Sequence, residues 1–193
     1  FLNITLGLGL ALAVGIRPFL PVLLFGALAS GDVAVNLVGT DFSFLEQSGF
    51  LLVIVLLLIG GAVAERSFKL SPVEGPLDWY FAALGLILGA VLFSAALAEG
   101  GYTWWPGIPA GLVAAGFANY VVRRFMFGVR SRLDPAAANA TVIYLEGVAV
   151  IVAALAVFLP PSSIVVAAAL AWLLRGVYRR SDEKHAGLRV LRR

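Results

Sequence analysis

Between residues 15 and 21 the chain reads GIRPFLP, which places an arginine and two prolines inside a long apolar segment. Proline has no amide hydrogen, so Pro18 and Pro21 leave the carbonyls of Val14 and Arg17 without their usual helical donors. We therefore predict that the first helix is broken at Arg17-Pro18.

The composition around this stretch is that of a membrane protein. Hydrophobic residues make up 61% of the 193 and charged residues 13%, and the mean hydropathy is +0.98. Soluble domains are about 45–50% apolar and about 25% charged, so the excess apolar surface must face lipid. We predict an all-α membrane protein.

A spanning helix needs about 20 mostly apolar residues. Six segments qualify: Leu2 to Ala29, Gly49 to Ala64, Trp79 to Ala98, Pro106 to Phe127, Ala140 to Leu159 and Ser162 to Tyr178. Residues 1–180 are expected to form one six-helix transmembrane domain, and residues 181–193 a basic cytoplasmic tail. Pro160-Pro161 should join the last two spans in a tight hairpin.

The positive charges predict the orientation, because Lys and Arg collect on the cytoplasmic side. They lie in the second loop, the fourth loop and the tail: Arg66, Lys69, Arg123, Arg124, Arg130, Arg132, Arg175, Arg179, Arg180, Lys184, Arg189, Arg192 and Arg193. Both termini are therefore expected in the cytoplasm, with Trp104 and Trp105 at the outer interface. The net charge of +3 favours anionic lipid headgroups as partners rather than nucleic acid, because the cations are dispersed along the membrane edge.

Ala27-Leu28-Ala29 resembles a signal-peptidase site, so cleavage of the first segment is an alternative. A signal core is an uninterrupted apolar run of about 7–15 residues, whereas Arg17-Pro18 interrupts this one. We therefore expect the segment to be retained.

Several chemistries are excluded by the residues themselves. The chain has no cysteine and a single histidine, His185 in the tail, so no metal or cofactor is expected. It also lacks HExxH, GxSxG and a phosphate-binding glycine loop, which argues against an enzyme. A carboxylate-based intramembrane lipid enzyme that uses Glu65 and Asp78 stays as the catalytic alternative.

Arg17 is the centre of the predicted substrate- or ion-binding site. A guanidinium near the bilayer centre costs about 2.5–3.5 kcal/mol unless it is paired or hydrated, and Glu146 is its best partner. Asn119 and Tyr144 can complete a polar cluster beside Pro18. The alternative is a buried Arg17–Glu146 pair that only fixes helix packing.

A second charged region lies between the second and third spans. Glu65 and Asp78 stand at helix boundaries, where they can line a cytoplasmic vestibule. In the third span Gly85 and Gly89 have GxxxG spacing, which predicts close helix packing and offers a face for a homo-oligomer.

The two halves of the chain share a weak internal similarity. Ala13-Val14-Gly15-Ile16 echoes Ala114-Ala115-Gly116-Phe117, and an inverted repeat of three plus three spans is common in transporters.

Gly15 to Leu20, Glu65 with Pro72 and Asp78, and Asn139 with Glu146 together resemble family 4126 of the domains of unknown function. The resemblance covers nearly the whole chain. It implies a bacterial multi-helix protein of the plasma (inner) membrane without an assigned activity, and it adds Asn139 to the candidate site.

Two function classes follow. The first is a small transporter or channel with a midplane polar site at Arg17, and an arginine-lined pathway favours an anionic or amphiphilic solute over a bare cation. The second is a non-catalytic structural or assembly subunit of a membrane complex.

Overall fold

A computed structural model describes the backbone of residues 1–67, 76–130 and 135–190, and side chains over 1–64, 79–127, 141 and 143–178. These ranges hold seven α-helices, one 3-10 turn and no strand, so the all-α prediction is confirmed. The helices are α1 (Leu2–Ile16), α2 (Phe19–Ser30), α3 (Ser48–Ser67), α4 (Pro76–Glu99), α5 (Gly107–Arg130), α6 (Pro135–Phe158) and α7 (Ser162–Val190), with the 3-10 turn at Ser43–Glu46.

The predicted break in the first segment is present. Helix α1 ends at Ile16, and Arg17 adopts extended backbone with φ −149° and ψ 126°. Pro18 then caps α2 with helical angles, which its ring favours at a helix start.

Helix α1 runs antiparallel to α4. At one end the Nδ2 of Asn3 donates to the Oε2 of Glu99 over 2.9 Å, and the backbone amide of Asn36 also reaches this carboxylate. Further along, a Cβ added to Gly85 would lie 3.2 Å from the carbonyl of Val14. The start of α1 therefore lies beside the end of α4.

Helix α2 returns towards the end of the bundle from which α1 starts. Phe19 packs edge-on against Phe81 in the second turn of α4, with ring centroids 5.7 Å apart. At the other end of α2, a Cβ on Gly26 would meet the backbone of Leu45 and the side chain of Leu51, at the start of α3. Helices α1 and α2 thus form a hairpin with Arg17 at its tip.

This hairpin corrects the prediction that Leu2 to Ala29 makes one crossing. Because Pro18 and Pro21 remove amide donors and Arg17 is extended, the chain reverses where the sequence suggested only a kink. The expectation that both termini are cytoplasmic stays a prediction, and the helix directions bear on it. Since α1, α5 and α7 run in the same direction, the first turn of α1 and the last turns of α7 lie at opposite ends of the bundle.

Helix α1 is the central element, and small residues let its neighbours approach. Every residue from Leu10 to Val14 is at most 1% exposed. A Cβ on Gly15 would collide with the backbone of Ala115 in α5, and one on Gly9 would lie 2.5 Å from Cβ of Ala156 in α6. The core is therefore built on close backbone contact.

The inverted-repeat prediction is wrong for the segments that suggested it. Helix α5 is antiparallel to α4, since a Cβ on Gly107 would lie 2.6 Å from Cα of Ser94, and a Cβ on Gly116 would lie 3.3 Å from Leu86. Helix α1 is antiparallel to α4 as well, so α1 and α5 are parallel. An inverted repeat requires the opposite relation.

The surface of the described bundle is strongly apolar. Exposed large hydrophobic residues occur on every helix from α3 to α7, among them Leu52, Leu56, Ile59, Ile87, Val113, Ile143, Ile151, Val165 and Trp172. By length and composition, one helix in the described ranges can cross a membrane, Trp79–Glu99 with a hydropathy of 2.4. Five shorter apolar helices accompany it: Leu2–Ile16, Phe19–Ser30, Ser48–Ala64, Ile143–Phe158 and Ser162–Tyr178. The six spans stay a prediction.

The stretch predicted as a tail starts as a continuation of α7, whose backbone is helical to Val190. The predicted positions of Lys69, Pro72, Arg132 and Arg192-Arg193 lie outside the described residues.

Candidate functional site

The tip of the hairpin brings Arg17 to Glu146 in the middle of α6. The Nε of Arg17 lies 3.6 Å from Oε1 of Glu146, and the two side chains are 14% and 22% exposed. This distance is longer than the roughly 2.7–2.9 Å of a charge-assisted hydrogen bond. The two residues form a partly accessible ion pair.

The broken backbone beside this pair adds polar groups. The backbone amide of Arg17 donates a hydrogen bond to the carbonyl of Ala13 over 3.1 Å. The next helical hydrogen bond, to the carbonyl of Val14, cannot form because Pro18 has no amide hydrogen. The Nδ2 of Asn119 in α5 reaches the carbonyl of Gly15 at 3.4 Å. Asn119 thus supplies a donor to a carbonyl at the broken helix end.

The helix ends contribute partial charges of opposite sign. The carboxyl end of α1 carries negative partial charge and the amino end of α2 carries positive partial charge, and only Arg17 and Pro18 separate them. Arg17 follows the negative end directly, which stabilises its guanidinium. The tip therefore presents backbone carbonyls and amides together with a cation and a carboxylate.

Among the remaining predicted residues, Tyr144 has a described side chain, and it lies outside this cluster. Tyr144 is 75% exposed and lies on the outer surface of α6. The backbones of Glu65, Asp78 and Asn139 belong to the last turn of α3, the first turn of α4 and the second turn of α6. Their side chains lie outside the description. Asn139 precedes Glu146 by two helical turns, or about 10 Å along the axis.

A second cluster, which sequence reasoning missed, joins α5 to its neighbours at the end of the bundle opposite Glu99. The hydroxyls of Tyr120 and Tyr178 lie 2.6 Å apart, and the guanidinium of Arg124 interacts with both. Arg123 lies over the ring of Trp79 at 5.2 Å. The i, i+4 spacing of Tyr120 and Arg124 signalled a shared face, but the contact with α7 required the fold.

Aromatic residues also gather at the Glu99 end. Phe42 packs edge-on against Trp104 at 6.0 Å and Phe44 against Phe50 at 5.4 Å, while Trp105 is 62% exposed. Both ends of the apolar bundle therefore carry clustered aromatic side chains.

Comparison with known proteins gives one match. The family model described as "Domain of unknown function (DUF4126)" matches residues 4–180, which confirms the resemblance seen in the sequence. No curated protein and no solved structure is similar enough to count as a match.

Proposed function

Since the chain belongs to this family of unknown function, we propose its function from the arrangement of the helices: an integral membrane transporter or channel with a polar site at Arg17. In this proposal α3 to α7 cross the plasma membrane of a bacterium, and the α1–α2 hairpin enters from one side and returns to it. No catalytic role is included.

The exposed surface supports a membrane position. Large apolar side chains face outwards on five helices, and in water such a surface would be an aggregation site. The aromatic side chains at the two ends of the bundle match the interfacial belts of membrane proteins. Trp79 and Glu99 are separated by about 30 Å of helix, the thickness of a hydrocarbon core.

The basic residues support an orientation. Arg123 and Arg124 lie at the end opposite Glu99, and this end we place in the cytoplasm with its anionic lipid headgroups. The start of α1 is then outside, which replaces the cytoplasmic position expected from a single crossing. The carboxyl-terminal end of α7 keeps its predicted side.

One observation carries the transport proposal: Arg17 sits at the tip of a hairpin at the level of the middle of α6, and it keeps 14% of its side-chain surface exposed although Glu146 is 3.6 Å away. Discontinuous helices whose ends meet inside the membrane form the substrate sites of many transporters. The cation and the amino end of α2 favour a solute that carries a negative group.

Flux through proteoliposomes tests the proposal. Vesicles loaded with a halide-sensitive dye receive external chloride, bromide or iodide, and potassium uptake with a potassium-sensitive dye is measured in parallel. We expect one or more of the anions to cross faster than in empty vesicles and faster than potassium. Arg17→Gln should abolish this flux, while Arg123→Gln, an equal loss of charge at the interface, should retain it.

Equal flux in Arg17→Gln and unmodified protein would refute the site. Absence of flux for every anion would favour the second candidate, a structural subunit in which the Arg17–Glu146 pair fixes packing. That candidate is supported by α3, whose outer face is apolar and whose Gly60 has no atom within 4 Å of an added Cβ. Gly85 and Gly89 are not available for an oligomer, because α1 and α5 cover them.

A further inference from the structure

We propose that a cleft between α5 and α7 binds one anionic phospholipid, with its phosphate at Arg124 and the Tyr120–Tyr178 pair and an acyl chain in the apolar cavity beside α1. This proposal rests on the membrane position proposed above and is separate from the Arg17 site.

The polar end of the cleft suits a phosphate. Arg124 supplies a guanidinium, which binds phosphate oxygens in bidentate fashion, and it interacts with both tyrosine hydroxyls. Of the two hydroxyls, 2.6 Å apart, one donates to the other and the second keeps its proton for an acceptor. Tyr120 and Tyr178 are 43% and 48% exposed, so the group is open to the membrane surface.

A further cation lies on the same side. Arg175 precedes Tyr178 by one turn of α7 and is exposed. Arg123 points elsewhere, towards Trp79. Arg124 on α5 and Arg175 on α7 thus bring two arginines to this part of the bundle, and together they complement a headgroup with a net negative charge.

The apolar part of the site is a cavity of about 590 Å³ between α1 and α5, to which α7 contributes Ala167. Its lining runs from Phe117 towards the Glu99 end of the bundle at Ile4 and Pro109. Its volume falls within the roughly 300–1,000 Å³ of ligand sites. Nearly all of its lining is apolar, which fits a hydrocarbon chain and excludes a polar solute.

Residues of the cavity and of the polar cluster share one face of α5. On α5, Val113, Phe117, Tyr120 and Arg124 follow one another at i, i+4, i+7 and i+11, so they lie on one face. Tyr120 is about 10 Å from Val113 along the helix, and Arg124 about 16 Å. That reach corresponds to a lipid whose headgroup sits at the aromatic belt and whose chain extends towards the bilayer centre.

Native mass spectrometry of the protein in detergent tests the proposal with dioleoyl phosphatidylglycerol as the probe. We expect one tightly bound lipid per protein, with dioleoyl phosphatidylcholine bound more weakly. Arg124→Gln should weaken phosphatidylglycerol binding about five-fold, the effect of losing one cation beside an anionic headgroup, and Arg123→Gln should leave it unchanged. Equal weakening by the two variants, or equal binding of the two lipids, would overturn the site.

A second comparison tests whether the acyl chain occupies the cavity. Dihexanoyl phosphatidylglycerol has the same headgroup and should bind more weakly than the dioleoyl lipid. The variant Ala167→Phe, which fills the cavity, should remove this difference. In that variant, Arg124→Gln should still weaken phosphatidylglycerol binding. Displacement of the lipid by millimolar inorganic phosphate would show a free-phosphate site and would refute the proposal. If phosphatidylglycerol does not bind at Arg124 but anion flux is intact, the lipid site is refuted and the transport proposal at Arg17 is unaffected.

Discussion

Arg17 is stabilised by groups from three different elements. Glu146 of α6 provides the opposite charge at 3.6 Å, the end of α1 provides carbonyls, and Asn119 of α5 holds the backbone next to it. Removing the partner of such a residue should strongly lower the stability of the fold. An unpaired charge in a low-dielectric site destabilises the folded state by far more than the pair as a whole stabilises it.

A double-mutant cycle tests this coupling. Arg17→Met and Glu146→Leu should each lower the free energy of unfolding by about 3–5 kcal/mol, and the double variant should recover part of the loss. Melting in detergent, followed by circular dichroism, gives all four values. Single effects that simply add, within about 0.3–0.5 kcal/mol, would show that Arg17 is stabilised by the carbonyls or by a bound solute instead.

At the level of elements, the packing of α4 on α5 depends on a glycine at the contact. A Cβ on Gly89 would lie 2.6 Å from Cβ of Ala115, whereas one on Gly60 would meet no atom within 4 Å. We therefore expect Gly89→Ala to destabilise the protein by about 1–3 kcal/mol through overpacking. Gly60→Ala should be neutral or stabilising by up to about 1 kcal/mol. Thermal unfolding of both variants checks the prediction, and equal effects would contradict the packing of α4 on α5.

Sequence reasoning could find the break at Arg17-Pro18, because missing amide hydrogens are local chemistry. It could also pair Arg17 with Glu146, since few opposite charges lie within apolar segments. The reversal of α2 was not predictable in the same way. A proline pair permits a kink or a turn, and the choice is made by contacts such as Phe19 with Phe81 that are distant in sequence. The Tyr120–Tyr178 contact was missed for the same reason.

At the scale of the whole molecule, the hairpin sets which ends share a side. The start of α1, the connection after α2 and the connection after α4 lie together, and the last turn of α5 and the first turn of α6 lie at the other end. In intact cells, cysteines introduced at Leu2 and Gly101 should both react with an impermeant thiol reagent, while one at Ser131 should react only after permeabilisation. The native chain has no cysteine, so the labelling has no background. Labelling at Ser131 alone would invert the proposed orientation.

A disulfide between positions 3 and 100 tests the hairpin most directly. A Cβ on Gly100 would lie 2.6 Å from Cγ of Asn3 and at least 2.9 Å from its Cβ. The two Cβ atoms are then at most about 4.1 Å apart, a range that overlaps the roughly 3.5–4.5 Å of a disulfide. We predict that the variant Asn3→Cys/Gly100→Cys forms an intramolecular disulfide on mild oxidation, seen as a mass loss of two hydrogens, while Asn3→Cys/Phe127→Cys does not. A single crossing would hold positions 3 and 100 roughly 30 Å apart. If the second variant forms a disulfide and the first does not, the result contradicts the hairpin and the position of Arg17 at its tip.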